Sequence, residues 1–317
     1  MTQPTDPLHI GKVRSDLDRI VVDNPRARQA HAQFDFLVAH GDQQGDGPKR
    51  CALLVGPPQS GKTTIITSYS ERRNTKEKLS ADEIPVLVVS LRANISTKGL
   101  AQNILEKIGE YGYQTGAHSG SENMLLGRAY KLLGQAKVKL LILDEFHHIA
   151  NIESRKAAWN VGETIKLFLI DGRCPVVLSG IEAAKTPFLE NTQLSQRAEV
   201  PLELNRLDIG NPEDRDIFLE FLKVYFAKVE DTAGMSNVIR MLNRETALCI
   251  HEVTQGVLGA ASNLVKAAVC IALERGRNHL VTEDLAIAAD RCFILTGIYS
   301  RNPFRDGYRP VATRRAA

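Results

Sequence analysis

Short apolar runs alternate with amphipathic segments between residues 49 and 204. The apolar runs are rich in aliphatic and β-branched residues, which is typical of buried strands. They lie at 51–55, 84–89, 138–145, 174–180 and 200–204. The amphipathic segments carry apolar residues at helical spacing, and they lie at 64–69, 98–110, 122–134 and 159–170. Strands that alternate with helices predict an α/β fold with a doubly wound parallel sheet of five strands.

Beyond residue 211 the pattern is helical throughout. Apolar residues recur at helical spacing over 214–228, 243–254, 260–275 and 282–296, and no strand-like run interrupts them. This change of pattern predicts a second domain that is entirely helical.

The first 50 residues are punctuated by prolines and read as an N-terminal extension. Phe34, Phe36 and Leu37 lie at partly helical spacing within 27–39, and 41–48 is a turn-rich connector. The pattern leaves open whether this segment docks on the core or on a neighbouring molecule.

The net charge is small, but charge is unevenly distributed along the chain. A formal charge of +3 over 317 residues identifies no partner and does not exclude nucleic acid. From Arg291 onward the chain contains six arginines and one aspartate, so the C-terminal end is locally basic. Such a tail fits contact with phosphates or an acidic partner, and it fits a solvated segment equally well.

Cysteine use and hydropathy indicate the compartment. Cys51, Cys174, Cys249, Cys270 and Cys292 are odd in number and lack a C-x-x-C spacing, which is typical of reduced core residues in a cytosolic protein. The chain opens without a signal-peptide pattern and has no apolar run of membrane-spanning length. We therefore expect a cytoplasmic protein with no membrane partner.

Residues 56–63 follow the first predicted strand and match the phosphate-loop pattern G-x-x-x-x-G-K-[ST] in full. They are Gly56, Pro57, Pro58, Gln59, Ser60, Gly61, Lys62 and Thr63, and Thr64 continues into the next helix. The glycines let the backbone curl, so that successive N–H groups and a helix N-terminus face phosphate oxygens. Lys62 is expected to reach the β- and γ-phosphates and Thr63 to hold Mg²⁺. The strand-loop-helix context favours a nucleotide site over a chance match in a turn.

Asp144 and Glu145 end the third predicted strand, at the sheet edge where open α/β folds bind ligands. There Asp144 can hold Mg²⁺ through its water shell, and Glu145 can orient and deprotonate an attacking water. The alternative is that both acids only cap the helix that follows. The complete phosphate loop upstream favours the catalytic interpretation.

His147 and His148 follow these acids directly. Adjacent histidines raise the question of a metal site, but a third ligand at metal-like spacing is missing. We therefore expect two surface side chains at the start of a helix.

Ser179 ends the fourth predicted strand in the same way that Asp144 ends the third. Strand alternation could point its hydroxyl at the γ-phosphate or the water, and a polar residue simply leaving the sheet is an equal alternative. Arg197 precedes the last predicted strand. Its permanent charge and forked guanidinium suit it to reach a phosphate in a neighbouring subunit, whereas composition alone favours a surface residue.

Together these elements resemble the AAA+ class of ATPases. Within that class the chain resembles the TniB/TnsC-type transposition ATPases, which are related to initiator-clade loaders. The resemblance is carried by GPPQSGKTT, LLILDEFHHIA, VVLSGIEAA and the QLSQR segment before VPLELNRL, and it covers about residues 25–295.

The resemblance implies a P-loop AAA+ fold in which a C-terminal, all-helical lid domain follows the five-stranded sheet. The expected boundaries are an N-terminal extension at 1–48, a nucleotide-binding domain at 49–208, the lid at 209–296 and a basic tail at 297–317. ATP and Mg²⁺ are the implied cofactors. Lys62, Thr63, Asp144 and Glu145 take the ATP and Mg²⁺ roles, with Ser179 as the sensor and Arg197 as the trans-acting finger.

The resemblance also implies self-assembly on double-stranded DNA, as a hexameric ring or a helical filament. Such proteins link a target-selection protein to a DDE transposase. The insertion that lines the DNA pore corresponds to 92–98 and 117–121, which makes Arg92 and Lys98 the candidate phosphate contacts. Backbone contacts of this kind are largely indifferent to base sequence.

One segment departs from the class pattern. Many AAA+ lids carry a Gly-x-x-Arg sensor at the start of a late helix, but neither Gly256 nor Gly259 is followed by arginine at that spacing. Hydrolysis could therefore be slow, or Asn263 or Lys266 could substitute for the missing arginine.

Two other functions stay open at this point. The first is an AAA+ replication initiator or helicase loader. The second is an oligomeric scaffold that uses ATP as structural glue with little hydrolysis. The presence of Glu145 disfavours the scaffold, whereas the missing lid arginine mildly favours it.

Overall fold

The computed structural model describes residues 6–75, 83–92, 95–148, 155–171 and 173–309. The chain forms two compact units. The α/β unit comprises Arg26–Leu204, and the helical unit combines Met1–Pro25 with Asn205–Ala317.

Within the described residues, five strands form one sheet whose neighbouring strands are all parallel. The strands are β1 Cys51–Val55, β2 Val86–Ser90, β3 Leu140–Asp144, β4 Val176–Gly180 and β5 Leu202–Glu203. Their order across the sheet is β2-β3-β4-β1-β5. β4 therefore lies between the strand that precedes the phosphate loop and the strand that ends in Asp144. The predicted doubly wound, five-stranded parallel sheet is confirmed.

The helices are numbered in chain order, and several begin at side-chain caps. Ser96, Ser121 and Asn211 each accept a hydrogen bond from an N–H of the first turn that follows them. The described helices are α1 Pro7–Asp18, α2 Pro25–Gln43, α3 Lys62–Asn74, α4 Thr97–Gly109, α5 Glu122–Gln135, α6 Arg155–Ile170, α7 Lys185–Glu190, α8 Thr192–Ser195, α9 Pro212–Ala233, α10 Val238–Met241, α11 Arg244–Thr254, α12 Leu258–Glu274, α13 Thr282–Ala289 and α14 Pro303–Asp306.

Both faces of the sheet are buried, as expected for parallel strands with helices on two sides. On one face, Leu53 and Leu178 pack with apolar residues of α4, α5 and α6. On the other face, Leu54, Ile142 and Val177 pack with residues of α2 and α3. Because side chains alternate along a strand, the face on which a terminal residue lies can be read from these clusters.

The described residues of the helical unit share one apolar core. Leu17 of α1, Phe218 and Leu222 of α9, and Leu264 and Val265 of α12 are all fully buried in it. Its described part contains no strand, apart from an isolated bridge between Ser236 and His279. The predicted helical C-terminal region is confirmed.

The N-terminal segment is divided between the two units. Val13 and Leu17 belong to the core of the helical unit, whereas Phe34 and Leu37 belong to the core of the α/β unit. Residues 1–48, which the sequence pattern sets apart as one extension, therefore contribute to both units. Only Phe36 of the three predicted apolar positions is exposed, at 49%.

Several arginines of the basic C-terminal end are paired within the helical unit. Arg291 lies 3.4 Å from Glu274, and Arg301 lies 3.4 Å from Glu252. Arg305 contacts both Glu283 and Asp290 at 3.0 Å. The charge excess predicted from the local sequence is thus partly neutralised by acids elsewhere in the chain, and residues 310–317 lie outside the described residues.

Among the described residues, no single helix is long and apolar enough to cross a membrane. The consecutive helices α11 and α12 reach that length and hydropathy together, with a bend of 114° between them. Both are lined with buried residues of the helical core.

Candidate nucleotide site

Gly56 begins the phosphate loop at the end of β1, where packing leaves no space for a side chain. A Cβ atom at this position would lie 2.7 Å from Ser60 Oγ and 2.9 Å from Leu204 Cβ. The Gly56 N–H donates to the Gly180 carbonyl at 3.2 Å, which joins the ends of β1 and β4. The loop therefore starts from a fixed point on the carboxyl edge of the sheet.

Two residues with positive φ turn the loop into α3. Gln59 has φ 62° and Gly61 has φ 96°. Nothing lies within 4 Å of a Cβ placed on Gly61, so the left-handed conformation, not the space, favours glycine there. Gly61 is the N-cap of α3, and it provides no side-chain hydrogen bond to the first turn. The N–H groups of that turn therefore form a suitable anion site.

The Lys62 ammonium lies inside the loop. Its Nζ donates to the carbonyl of Gly56 at 2.8 Å and of Pro57 at 2.9 Å, with Ser60 Oγ at 3.3 Å. Burial lowers the pKa of Lys62, and the carboxylates of Asp144 and Glu145 oppose that shift. The structure thus places a cation between the loop and the two acids.

Asp144 ends β3 on the face of the sheet that α3 covers. It lies two residues beyond Ile142, whose side chain packs on that face. Thr63 Oγ1 donates to Asp144 Oδ2 at 3.3 Å, so the two residues predicted to hold Mg²⁺ are adjacent. The Glu145 N–H donates to Asp144 Oδ1 at 2.9 Å and orients the carboxylate. Oxygen donors of this kind suit Mg²⁺.

Glu145 has φ 59°, which is uncommon for a residue with a side chain. The chain turns there into a short 3₁₀ helix, Phe146–His148, and the His148 N–H donates to the Glu145 carbonyl at 2.9 Å. The next α-helix that the structure describes begins at Arg155, and residues 149–154 lie outside the described residues. The Glu145 side chain is 40% exposed and is accessible to water. Unusual backbone at such a residue is typical of functional sites.

His147 and His148, predicted as surface residues at the start of a helix without a third metal ligand, lie in the 3₁₀ helix and are both half-buried. The His147 side chain is only 12% exposed, and its Nδ1 lies 3.2 Å from Glu145 Oε2. Burial lowers the pKa of His147, and the Glu145 carboxylate opposes that shift. Ligand atoms of Glu145, His147 and His148 all lie within 4.8 Å of one another. The positive φ of Glu145, which the sequence pattern does not reveal, accompanies this arrangement.

Ser179 is fully buried near the end of β4. It follows Val177 by two residues and pairs with Leu54 in the ladder, so its side chain lies on the α3 face, as does that of Asp144. Its hydroxyl has no hydrogen-bond partner among the described residues. A buried hydroxyl is normally bonded, so this one is available to a ligand or to water.

Arg197 lies at the amino end of the parallel strands, whereas the phosphate loop lies at their carboxyl end. The Cys51 N–H donates to the Arg197 carbonyl at 3.0 Å, which places Arg197 beside the first residue of β1. Four residue steps along a strand, from Cys51 to Val55, span about 13 Å. No hydrogen bond or ion pair of its guanidinium is found within the part of the chain that the structure describes. Arg197 is therefore not placed to reach the phosphate loop of its own chain.

The predicted DNA contacts lie at opposite ends of α4. The Arg92 guanidinium contacts Glu106 of that helix at 2.8 Å, and His118 lies 3.5 Å from the same carboxylate. Lys98, at the start of α4, is exposed. Glu106 thus brings the loop after β2 close to the 117–121 segment, but it also neutralises Arg92. Residues 93 and 94 lie outside the described residues.

The lid segment that lacks the class arginine has a packing role of its own. Gly256 has φ 71°, and a Cβ there would lie 2.1 Å from the Leu207 carbonyl oxygen. His251 Nε2 donates to the same carbonyl at 2.8 Å. Lys266, considered as a substitute sensor, is paired with Asp18 at 2.9 Å. Asn263 also has an interaction of its own.

Comparison with known families bears on this site directly. The family of bacterial TniB proteins matches residues 16–208 of the chain. The chain belongs to the TniB family. The matched stretch contains the phosphate loop, Asp144, Glu145, Ser179 and Arg197. The family predicted from the sequence motifs is confirmed. Comparison with curated protein sequences gives no match.

Solved structures share the fold of this TniB-family chain at low sequence identity. The Aeropyrum pernix ORC2 protein, in ADPNP–ADP complexes, has a TM-score of 0.60 at 18% identity, over 88% of this chain and 71% of that one. Cdc6p from Pyrobaculum aerophilum has a TM-score of 0.60 at 16% identity, over 88% and 71%. The A. pernix ORC1 protein in complex with DNA has 0.59 at 16%, over 88% and 69%. The AAA+ fold with a helical C-terminal region is thereby confirmed.

Proposed function

We propose that this TniB-family chain is a Mg²⁺-dependent ATPase that assembles on duplex DNA and regulates transposition. The ATPase proposal rests on five side chains that lie at the carboxyl ends of the parallel strands. Lys62 and Thr63 begin α3, while Asp144, Glu145 and Ser179 lie at the ends of β3 and β4. These groups are the cation, the metal ligands, the base and the polar contact that phosphoryl transfer to water requires.

ATP fits the loop because its phosphates match the donors there. The first turn of α3 has no side-chain cap, so its N–H groups are free to bind phosphate oxygens. Phosphate oxygens carry more negative charge than the Gly56 and Pro57 carbonyls, so they would compete effectively for the Lys62 ammonium. The A. pernix ORC2 protein of the same fold is described with ADPNP and ADP, which supports an adenine nucleotide.

Thr63 and Asp144 are the residues that would hold Mg²⁺. Their oxygens are already adjacent, at 3.3 Å. When bound, the ion neutralises charge on the phosphates. Glu145 is positioned beside them to orient a water molecule and accept its proton, and its partial exposure leaves room for that water. The free hydroxyl of Ser179 is the group that would contact the γ-phosphate or this water.

Assembly completes the site in this proposal. Arg197 lies at the far edge of the sheet and has no ion pair within the described residues, so its guanidinium suits a phosphate held by another subunit. The nucleotide would then stabilise the contact between subunits. A hexameric ring or a helical filament would both satisfy this arrangement.

Duplex DNA is the proposed support for the assembly. Arg92 is exposed on the loop after β2 and Lys98 on the first turn of α4, and phosphate binding by Arg92 would require it to leave Glu106. The A. pernix ORC1 protein of the same fold is described in complex with DNA, which supports a DNA-related role. A DDE transposase and a target-selection protein are the further partners that the TniB family suggests.

The cytoplasm is the compartment that we propose for this activity. Cys51, Cys174, Cys249, Cys270 and Cys292 are all free thiols. Burial raises the pKa of Cys51 and of Cys174 to about 12, so both are unreactive core residues. Free, buried thiols are consistent with a reducing compartment.

Phosphate release tests the ATPase directly. The rate is measured with ATP and Mg²⁺, with and without duplex DNA, for the wild type, Glu145→Gln and the matched control Glu71→Gln, an exposed glutamate of α3. We expect Glu145→Gln to lower the rate about 100-fold while ATP still binds, and Glu71→Gln to match the wild type. Equal and negligible rates for the wild type and Glu145→Gln would instead support the ATP-bound scaffold.

A replication initiator or helicase loader is the second candidate. The fold similarity to Orc and Cdc6 proteins favours it, whereas the TniB family match favours transposition. Tagged full-length chain with ATP and DNA would be mixed with a DDE transposase or with a replicative helicase from the same source. Retention of the transposase alone supports our proposal, and retention of the helicase alone contradicts it.

A further inference from the structure

Glu145, His147 and His148 bring three different metal-binding groups together at the edge of the nucleotide site. Their ligand atoms all lie within 4.8 Å of one another. Glu145 Oε2 and His147 Nδ1 lie 3.2 Å apart. That pair is not aligned as a hydrogen bond, so the buried Nδ1 has no hydrogen-bond partner among the described residues. A buried nitrogen of this kind points towards a ligand.

The donor set selects the class of ion. Two imidazoles and one carboxylate suit zinc and related transition metals, whereas Mg²⁺ prefers oxygen ligands. A tetrahedral zinc ion with bonds of about 2.0–2.1 Å holds its ligand atoms about 3.4 Å apart. The Glu145–His147 pair is already at that spacing. Rotation of the half-buried His148 side chain would close the remaining distance.

We propose that Glu145, His147 and His148 form a site for Zn²⁺ or a similar transition-metal ion, distinct from the Mg²⁺ ligands Thr63 and Asp144. The backbone at Glu145 and the packing of Gly180 against His147 fix the position of these three residues. Glu145 has a positive φ and starts the 3₁₀ helix that carries both histidines. Behind them, a Cβ atom on Gly180 would lie 3.1 Å from the His147 backbone nitrogen.

Metal at this position would inhibit hydrolysis, and this consequence rests on the proposed ATPase function. Glu145 can orient water only while a carboxylate oxygen is free to accept a proton. An ion bound to that oxygen and to both imidazoles withdraws it from the water. The metal would leave ATP binding at Lys62 and Thr63 intact, so the chain would stay in its nucleotide-bound form.

Metal binding is measured first, on the full chain and without nucleotide. Co²⁺ serves as the spectroscopic probe, because tetrahedral coordination gives it intense visible absorption bands, and Zn²⁺ then competes for the same site. We expect one equivalent to bind the wild type. His147→Ala and His148→Ala should each weaken binding about 10-fold or more, since changes in the outer shell of metal sites alone have effects of that size.

Two further variants keep the result interpretable. Glu145→Gln preserves the shape of the side chain and removes its charge, so it tests the third ligand with little risk to folding. His118→Ala removes a histidine whose side chain is 79% exposed and should bind metal as the wild type does. Unchanged Co²⁺ binding by the His147→Ala/His148→Ala double variant would overturn the proposal.

Phosphate release in excess Mg²⁺ and ATP is measured next, with and without micromolar Zn²⁺. We expect Zn²⁺ to slow the wild type several-fold and to leave the rate of His148→Ala unchanged relative to the same variant without Zn²⁺. Tight binding with no hydrolysis under any condition would support the site and contradict the ATPase. Normal hydrolysis with neither binding nor inhibition would contradict the metal site alone.

Discussion

Two fully buried polar side chains, one from each unit, differ in whether they are hydrogen-bonded. In the helical unit, the fully buried Asp284 carboxylate accepts two N–H groups of Arg277, one of them at 2.8 Å, and the Val281 N–H at 3.0 Å. In the α/β unit, Ser179 is just as buried, but its hydroxyl has no partner among the described residues.

A second buried acid of the helical unit, Glu252, is hydrogen-bonded as Asp284 is. Glu252 is fully buried, and its carboxylate accepts the Tyr299 hydroxyl at 3.0 Å and the Arg309 N–H at 2.7 Å. These contacts tie the C-terminal segment to α11. Satisfied groups such as Asp284 and Glu252 hold the fold together, whereas the unbonded hydroxyl of Ser179 leaves a hydrogen bond free for water or a ligand.

The largest effect is expected from breaking a satisfied pair. Asp284→Asn leaves Arg277, whose side chain is 19% exposed, without its charge partner. We expect the free energy of unfolding to fall by about 3 kcal/mol, measured by urea denaturation of the full chain. Asp16→Asn is the control, because it breaks an exposed pair with Arg19 and should change stability by less than about 0.5 kcal/mol. Equal losses of stability in the two variants would show that the buried Asp284 pair stabilises the fold no more than the exposed Asp16 pair does.

Ser179→Ala should lower activity and leave stability intact, in contrast to Asp284→Asn. Removing an unpartnered buried hydroxyl is expected to leave stability unchanged or slightly higher. ATP hydrolysis should fall about 100-fold if the hydroxyl contacts the reacting groups. The control is Ser68→Ala, because Ser68 Oγ donates to the Ile65 carbonyl at 3.1 Å on the same unit. A loss of stability with normal hydrolysis would show that Ser179 has a structural role.

Protonation of His251 is expected to have a smaller effect on the free energy of unfolding. Burial lowers its pKa, with the Leu207 carbonyl and nearby acids opposing the shift. The unfolded chain therefore binds the proton more readily, and stability should fall as pH drops below the ordinary value of 6.5. The slope is at most about 1.4 kcal/mol per pH unit. Unfolding at pH 7 and pH 5 should show a weaker dependence for His251→Gln than for the wild type. Identical slopes would exclude this contribution.

The smallest effect on folding is expected at the predicted DNA contacts. Arg92→Ala with Lys98→Ala should change stability by less than about 1 kcal/mol, because the Arg92–Glu106 pair is exposed. Duplex binding should weaken, and the slope of log K against log salt should fall by about 1 for each DNA phosphate that the variant no longer neutralises. An unchanged affinity and salt slope would show that DNA binds elsewhere.

Sequence patterns predict the sheet, and which residues lie at its carboxyl edge, for a simple reason. Parallel strands buried on both faces read as continuous apolar runs, and β1 and β3 bring Gly56 and Asp144 to the same edge. The fifth strand is only Leu202–Glu203, shorter than predicted, because it pairs with just Leu54 and Val55 at the end of the sheet.

Features that depend on backbone conformation or distant contacts were beyond the sequence patterns. The positive φ of Glu145, which accompanies the approach of its carboxylate to His147, leaves no periodic signal. The pairing of Arg92 with Glu106 joins two segments whose spacing in sequence implies no contact. The division of the N-terminal segment likewise follows from which apolar core each helix joins.

An image of the full chain with a non-hydrolysable ATP analogue, Mg²⁺ and duplex DNA tests the central claim most directly. We predict that the γ-phosphate lies against Lys62 and Ser179, with Mg²⁺ on Thr63 and Asp144 and with Arg197 of the partner subunit completing the site. A nucleotide bound elsewhere, or an occupied loop with the Ser179 hydroxyl facing protein alone, would contradict the account.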